Sequence, residues 1–324
     1  MAMQIKLWGV RGSLTTPKPP KEIEARVLQL LKRYIAEGKG RSPEEFLSSL
    51  PQREVGGYGG HTSCVEVTNG PHQIIIDGGS GLRPLGGKML TGPCGLGRGE
   101  VHILFTHFHW DHLVGLPFFV PIFIPGNKIH IYAVQPELEE IIRHVFEKPY
   151  FPVSFDDLGA EVVFHQLAPR EKREFGDLQV TPYQLDHPDP CWGFRVECGG
   201  KVYAHCVDTE CTRVSRKDLG PDLPLYQGVD VMVFDAQYTF KEATEKVHWG
   251  HSSAPIGLDI AVREKIKNVY FVHHDPVASD MKIAQAEAES RDYFKTMIKA
   301  LKSADENAFE PNWCFAHEGM VIEV

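Results

Sequence analysis

Thr106-His107-Phe108-His109-Trp110-Asp111-His112-Leu113 packs three imidazoles and a carboxylate into one short window. Both side-chain types are ligands for zinc and similar divalent ions. Upstream, Val101-His102-Ile103-Leu104-Phe105 is a short apolar, β-prone run, and Gly115 and Pro117 break the chain soon after the window. The cluster therefore sits where a strand gives way to a turn. Alternate residues of extended backbone share a face, so His107 and His109 point the same way. Asp111 and His112 follow as the chain turns and can face a second ion. The spacing suits two metals rather than one. The competing reading is a chance cluster in a chain with sixteen histidines, and the strand ending on the window argues against it.

Two metals need more ligands than one window supplies. Three further candidates also follow β-like runs. His187 lies in Gln184-Leu185-Asp186-His187-Pro188, after residues 178–183, placed as a third imidazole for the first ion. Asp208 lies in Ala204-His205-Cys206-Val207-Asp208-Thr209, and a carboxylate with two oxygens can bridge two cations. His273 follows Val269–Val272 and would complete the second ion. Its neighbour His274 competes for that role, because only one of two adjacent strand residues points inward comfortably. His251, in His248-Trp249-Gly250-His251-Ser252-Ser253, precedes a helical stretch and is a candidate proton donor, since imidazole releases a proton near neutral pH. A helix-capping loop histidine is its bland alternative, and His248 a weaker candidate for the same role.

Composition bounds the rest. At 324 residues, 42% hydrophobic and 24% charged, the chain has a globular balance and room for a large core without staples. The net charge of −9 argues against nucleic acid as the partner, which would favour clustered Lys and Arg. Seven cysteines, with no Cys-x-x-Cys pair, read as buried reduced thiols. The N-terminal residues carry no apolar signal-like core, and the apolar stretch from Leu113 is too short and proline-rich to span a bilayer. A cytoplasmic setting without membrane contact is expected.

Along the chain, residues 4–8 alternate like a strand. Residues 19–50 read as a helical pair, with Ile23, Val27, Leu30, Leu31 and Tyr34 at helical spacing and Ser42-Pro43-Glu44-Glu45 as a capping box. This pair looks like an insertion: a lid, a partner-contacting arm or a cover for the core. Asn69-Gly70 joins two β-prone runs as a hairpin. Asp77-Gly78-Gly79-Ser80-Gly81 reads as a tight turn and 86–99 as a Gly-rich loop. Helix is expected at 136–148, 253–267 and 279–302. Strands are expected through 161–205, at Val229–Phe234, at Asn268–Val272 and at 319–324. No repeat or clean linker divides this, so one domain over 1–324 is expected, of layered α/β class.

The His-x-His-x-Asp-His spacing of His107, His109, Asp111 and His112 resembles the signature of the metallo-β-lactamase superfamily, and the resemblance runs from about residue 100 to 275. It implies a four-layered αββα sandwich: two central sheets between outer helices, with metals at one edge. It implies one ion on His107, His109 and His187, and another on Asp111, His112 and His273. Asp208 would lie between them, as in the superfamily's strand-then-Asp-Thr element, and His273 would be the ligand rather than His274. Gly250-His251-Ser252-Ser253 resembles an element of the ribonuclease Z-like branch in which the histidine lies beside the scissile phosphate.

Trp8–Ser13, Tyr58–Cys64, Asp208–Glu210, His248–His251 and His273–Pro276 together resemble bacterial and phage phosphodiesterases of this superfamily that open cyclic nucleotides. His61 departs from that pattern, where asparagine is expected in many relatives. Arg11 is open between a phosphate contact and a packing role.

The expected chemistry is hydrolysis of a 3',5'-cyclic nucleotide by a hydroxide shared between two ions roughly 3.5–4 Å apart, with Asp111 orienting it and His251 protonating the leaving oxygen. Zinc suits the donor set, with manganese as competitor. The expected partners are a small-molecule phosphodiester and a second copy of the chain, as relatives often pair. Two alternatives remain: a ribonuclease Z-type endonuclease maturing transfer RNA, and a non-catalytic sensor that retains the metals. β-Lactam hydrolysis fits poorly with Asp111 and the His251 element.

Overall fold

The computed structural model describes residues 2–213 and 215–324. Fourteen strands are formed among them: β1 (Gln4–Gly9), β2 (Cys64–Asn69), β3 (His72–Ile76), β4 (Glu100–Leu104), β5 (Lys128–Ala133), β6 (Glu161–Gln166), β7 (Arg173–Phe175), β8 (Leu178–Gln184), β9 (Trp192–Cys198), β10 (Lys201–Cys206), β11 (Val231–Asp235), β12 (Asn268–Val272), β13 (Asn312–Phe315) and β14 (Val321–Glu323). They make two seven-stranded sheets, ordered β14-β1-β2-β3-β4-β5-β6 and β13-β12-β11-β10-β9-β8-β7.

Alternation within the strands explains the layering. In β3, Ile74 and Ile76 face the second sheet, meeting Phe194, Val196 and Val233, while Ile75 faces outward. The outer face of the first sheet is covered by helices Leu82–Met89 and Leu138–Val145 through Leu82, Leu85, Leu138 and Ile142. The outer face of the second is covered by helices Ala254–Glu264 and Asp280–Ala304 through Leu258, Ala261, Phe294 and Ile298. Helix, sheet, sheet, helix is the expected αββα sandwich. A strand buried on both faces needs apolar side chains in succession, which is why Ile74–Ile76 of β3 and Val231–Phe234 of β11 are unbroken apolar runs.

Direction matters more than layering for the site. Strands β3, β4, β5 and β6 run parallel, and so do β10, β11, β12 and β13. The residues following β3 and β4 in one sheet, and β10, β11 and β12 in the other, leave at matching ends.

Three readings of the sequence are corrected. The stretch 86–99 is not simply a loop: it begins inside helix Leu82–Met89 and contains a 3₁₀ turn at Pro93–Leu96. Gly86-Gly87 disguised a helix whose Leu82 and Leu85 lie in the core. The strand expected at Val229–Phe234 begins at Val231; just before it, Asp230 bonds Val202 through its own N–H and also accepts Val202 N at its carboxylate (2.9 Å). β13 has only four residues and no periodicity to reveal it. The hairpin at Asn69-Gly70 and the Ser42–Glu45 capping box form as expected.

Candidate metal centre

The turn after β4 is held by a residue from the neighbouring strand. The Asp77 carboxylate accepts Thr106 N (2.9 Å) and Thr106 Oγ1 (3.0 Å), and its other oxygen lies 2.8 Å from His112 Nδ1. Asp77 is wholly buried. Burial alone would raise its pKa, but His112 and His205 reverse the sign and hold it well below the usual carboxylate range. With Nδ1 directed at Asp77, the His112 ring presents Nε2 to the centre. A carboxylate behind an imidazole fixes a ligand's tautomer and orientation in this way. The short helix Trp110–Leu113 then carries Asp111 and His112.

Two loops of the second sheet supply the facing groups. Asp208, after β10, and His273, after β12, adopt left-handed backbone with φ of 63° and 64°, as does Asp77 at 64°. Such backbone costs a non-glycine residue about 1–2 kcal/mol, and it clusters at functional sites. Asp235, the last residue of β11, joins the Asp208 loop to the segment that carries His251. Its carboxylate accepts Asp208 N (3.1 Å), Gln237 N (3.0 Å) and Ser252 N (3.2 Å), and lies 2.9 Å from His251 Nδ1.

The donor atoms converge. His107, His109 and His187 each offer a ring nitrogen within 4.8 Å of one another. His187 Nε2 and His109 Nδ1 lie 3.3 Å apart. Asp111, His112 and His273 form a second group. Here His273 Nε2 is 3.1 Å from Asp111 Oδ2, and His112 Nε2 is 3.4 Å from the same oxygen. Asp208 lies between the groups: Oδ1 is 3.2 Å from His273 Nε2, and Oδ2 is 2.5 Å from His112 Nε2 and 3.9 Å from His107 Nε2. A tetrahedral ion with bonds of about 2.0 Å separates its donors by roughly 3.3 Å, so most of these contacts fit two divalent ions. A second observation agrees. His107 Nε2, His112 Nε2 and Asp208 Oδ2 are buried without a hydrogen bond, and such groups are rarely left without a partner.

All seven expected ligands therefore meet at one edge. His274 does not join them: its Nε2 faces the Ala316 carbonyl (2.8 Å), and burial pushes the ring down to about 3. Arg11 is buried, donates to the carbonyls of Gly59, Asp275 and Ala278, and has Nη2 3.6 Å from Asp280 Oδ1, which is a packing role. His61 Nδ1 pairs with Ser80 Oγ (3.0 Å).

Charge is distributed unevenly. Burial, with His112 adjacent, pushes His107 well below its ordinary value. His112 moves well above it, because Asp208, Asp77 and Asp111 overcome the cost of burial. Burial would raise Asp208, yet His273 and His112 hold it well below the carboxylate range. His251 Nδ1 sits between Asp235 and Asp208 Oδ1 (3.1 Å). Burial pulls this ring down, but the two carboxylates more than offset that and bring it up to about 10.

Sequence reasoning missed Asp77 and Asp235 as parts of the site. The signal was available: each ends an apolar run, Ile74-Ile75-Ile76-Asp77 and Val231-Met232-Val233-Phe234-Asp235, as Asp208 nearly does. It also missed Asp189 Oδ2, 2.8 Å from His109 Nε2, and the Gly250 carbonyl, 3.0 Å from His187 Nδ1. Gly250 has φ of 86°, and a Cβ there would fall 2.1 Å from His187 Nδ1, so only glycine fits beside that ring.

Residues 72–274 match the family described as Beta-lactamase superfamily domain, and the chain belongs to that family. Among curated relatives, ribonuclease Z of Pyrococcus abyssi is 30% identical over 95 residues, 28% of this chain and 29% of that protein's length. Ribonuclease Z of Archaeoglobus fulgidus is 20% identical over 256 residues, 66% of this chain and 81% of the relative. Two solved structures share the fold at TM-score 0.61: the metallo-beta-lactamase fold protein YhfI from Bacillus subtilis (13% identity, covering 99% of each chain) and unliganded yeast PDE1 (15% identity, covering 100% of this chain and 99% of that one).

Two outcomes follow from this geometry. Asp77→Asn should weaken zinc binding by about 10–100-fold, the usual cost of removing a carboxylate behind a ligand, as read by titration calorimetry on folded protein. In the metal-free chain, the His251 ring protons observed by NMR should titrate near pH 10, and Asp235→Asn should bring that midpoint down. The folded value is raised, so the associated stability is complete below the unfolded value near ~6.5. It is lost as pH rises through about 10.

Proposed function

We propose that this chain is a dinuclear metal-dependent phosphodiesterase that opens 3',5'-cyclic nucleotides. In this reading it acts as one hydrolase domain with a helical insertion, in the reducing cytoplasm and as a homodimer. The observation that carries the reading is the convergence of seven donors from both sheets onto one edge, with His107, His112 and Asp208 among them holding buried atoms that make no hydrogen bond and crowd against one another. His107, His109 and His187 would hold one ion, Asp111, His112 and His273 the other, and Asp208 would face both. Zinc suits the imidazole-rich set, with manganese as competitor. When bound, the pair supplies Lewis acidity and water of lowered pKa.

The remaining chemistry belongs to the protein. Ser13, Phe108, His109, Trp110, Asp111, Asp208 and His251 line a cleft of about 420 Å³, a size suited to a small ligand. Asp111 Oδ2 accepts a hydrogen bond from Ser13 N (2.7 Å), which holds the carboxylate toward the cleft to orient water. Asp235 and Asp208 occupy His251 Nδ1, so Nε2 is the nitrogen that delivers a proton to the leaving oxygen. Sharing Asp208 with a cation weakens one of the two carboxylates that hold the proton on His251, which makes that proton easier to release. Trp110, 66% exposed beside the cleft, and Phe108 offer planar faces to a base.

A second reading is supported by the curated relatives named ribonuclease Z. It would have this chain cut transfer RNA precursors with the same centre. The net charge of −9 disfavours a duplex-sized anionic partner.

Purified protein with zinc or manganese should hydrolyse cyclic AMP, cyclic GMP or a cyclic pyrimidine nucleotide, and chelation should abolish turnover. Asp111→Asn and His251→Ala should each lower kcat by about 10²-fold or more, with metal content retained for His251→Ala. Cleavage of transfer RNA precursor without turnover of any cyclic nucleotide would transfer the assignment to the second reading. Trp110→Ala should raise KM for a cyclic nucleotide roughly tenfold, the worth of about one stacked base, with a smaller change in kcat.

A further inference from the structure

Helix Pro20–Glu37 is attached to the body through Arg26, Arg33, Tyr34 and the partly buried Leu30. Arg26 pairs with Asp280, Arg33 with Glu54, and Tyr34 meets Phe46 with ring centroids 5.3 Å apart. None of its residues is buried. Ile23, Val27, Leu31 and Ile35 recur every fourth residue on one face with Leu28 beside them, and all five are at least half exposed. An ordinary surface helix turns its apolar stripe inward. This one does the reverse, which leaves a continuous apolar strip along an element about 27 Å long at 1.5 Å per residue. Contiguous exposed patches of this kind mark interaction sites.

We propose that this face pairs with the same face of a second copy of the chain, the two helices antiparallel about a two-fold axis near Leu28. This deepens the homodimer reading and is independent of the metal chemistry. The charges select the occupant. Antiparallel docking sets Ile23 and Val27 of each chain against Ile35 and Leu31 of the other. It brings Glu24 within one turn of Lys32, and the symmetry forms that pair twice. Glu24 and Lys32 are exposed, and among the described residues neither is engaged within its own chain. A parallel copy would instead place like against like.

The test is sedimentation velocity with light scattering on the full chain from about 1 to about 100 µM, with circular dichroism and thermal melting to establish folding. The expected result is a species of twice the chain mass. Leu28→Asp should convert it to monomer with an unchanged melting profile, since Leu28 lies on the side of the helix away from Arg26, Arg33 and Tyr34. Glu24→Lys should weaken association about tenfold by turning two attractions into repulsions, and Glu24→Lys with Lys32→Glu should restore it. A wild-type chain that is monomeric throughout, a Leu28→Asp chain that stays dimeric, or a double charge swap without recovery would each overturn the proposal. A monomer that co-sediments with anionic lipid vesicles would overturn it in favour of a membrane surface. Loss of pairing with cyclic nucleotide turnover intact, or the reverse, separates this proposal from the catalytic reading.

Discussion

A buried carboxylate with no access to water is the constraint on which the site rests. Asp77 leaves its strand in left-handed backbone, takes two hydrogen bonds from Thr106 and faces His112 Nδ1. An ionised group in such a place is tolerated only when it is fully paired. Its pairing fixes where the turn after β4 begins and which nitrogen of His112 faces the centre. Asp235 has the equivalent role in the second sheet, joining the loops that carry Asp208 and His251. Two carboxylates, one per sheet, thus set the positions of groups that come from loops far apart in sequence.

The parallel runs of both sheets make this convergence possible. Strands that run the same way end on the same edge, so one turn after each strand can contribute one side chain. Left-handed backbone at Asp77, Asp208 and His273 bends each turn sharply toward the centre. Such strain persists only where the surroundings over-determine it, and here the buried, hydrogen-bonded carboxylates of Asp77 and Asp235 supply that restraint. The concentration of negative charge, balanced only by imidazoles, is also what prepares the edge to receive cations.

Much of this was legible in the sequence, for physical reasons. The His107–His112 window has both a spacing and a strand in front of it, and His187, Asp208 and His273 share the property of following β-like runs. β-rich runs joined by helices pointed to a layered α/β class, and the four-layered sandwich was what the superfamily resemblance implied. Asp77 and Asp235 went unread as site residues because a carboxylate at a strand end is equally a turn residue, and only the fold reveals what it faces. His273 and His274 could not be separated by composition: the bend at His273 turns one ring to the centre and the other to Ala316. The exposure of the Pro20–Glu37 stripe was hidden for a related reason. Periodicity reveals that a helix has an apolar face, not which way that face is turned.

The central claim is a paired-cation centre built by the two sheets together. Anomalous diffraction at the zinc edge from crystals of zinc-loaded protein tests it most directly. The account predicts two peaks of comparable occupancy, one among His107, His109 and His187 and one among Asp111, His112 and His273, with Asp208 reaching toward both. A single peak, or strong peaks only elsewhere on the molecule, would contradict it.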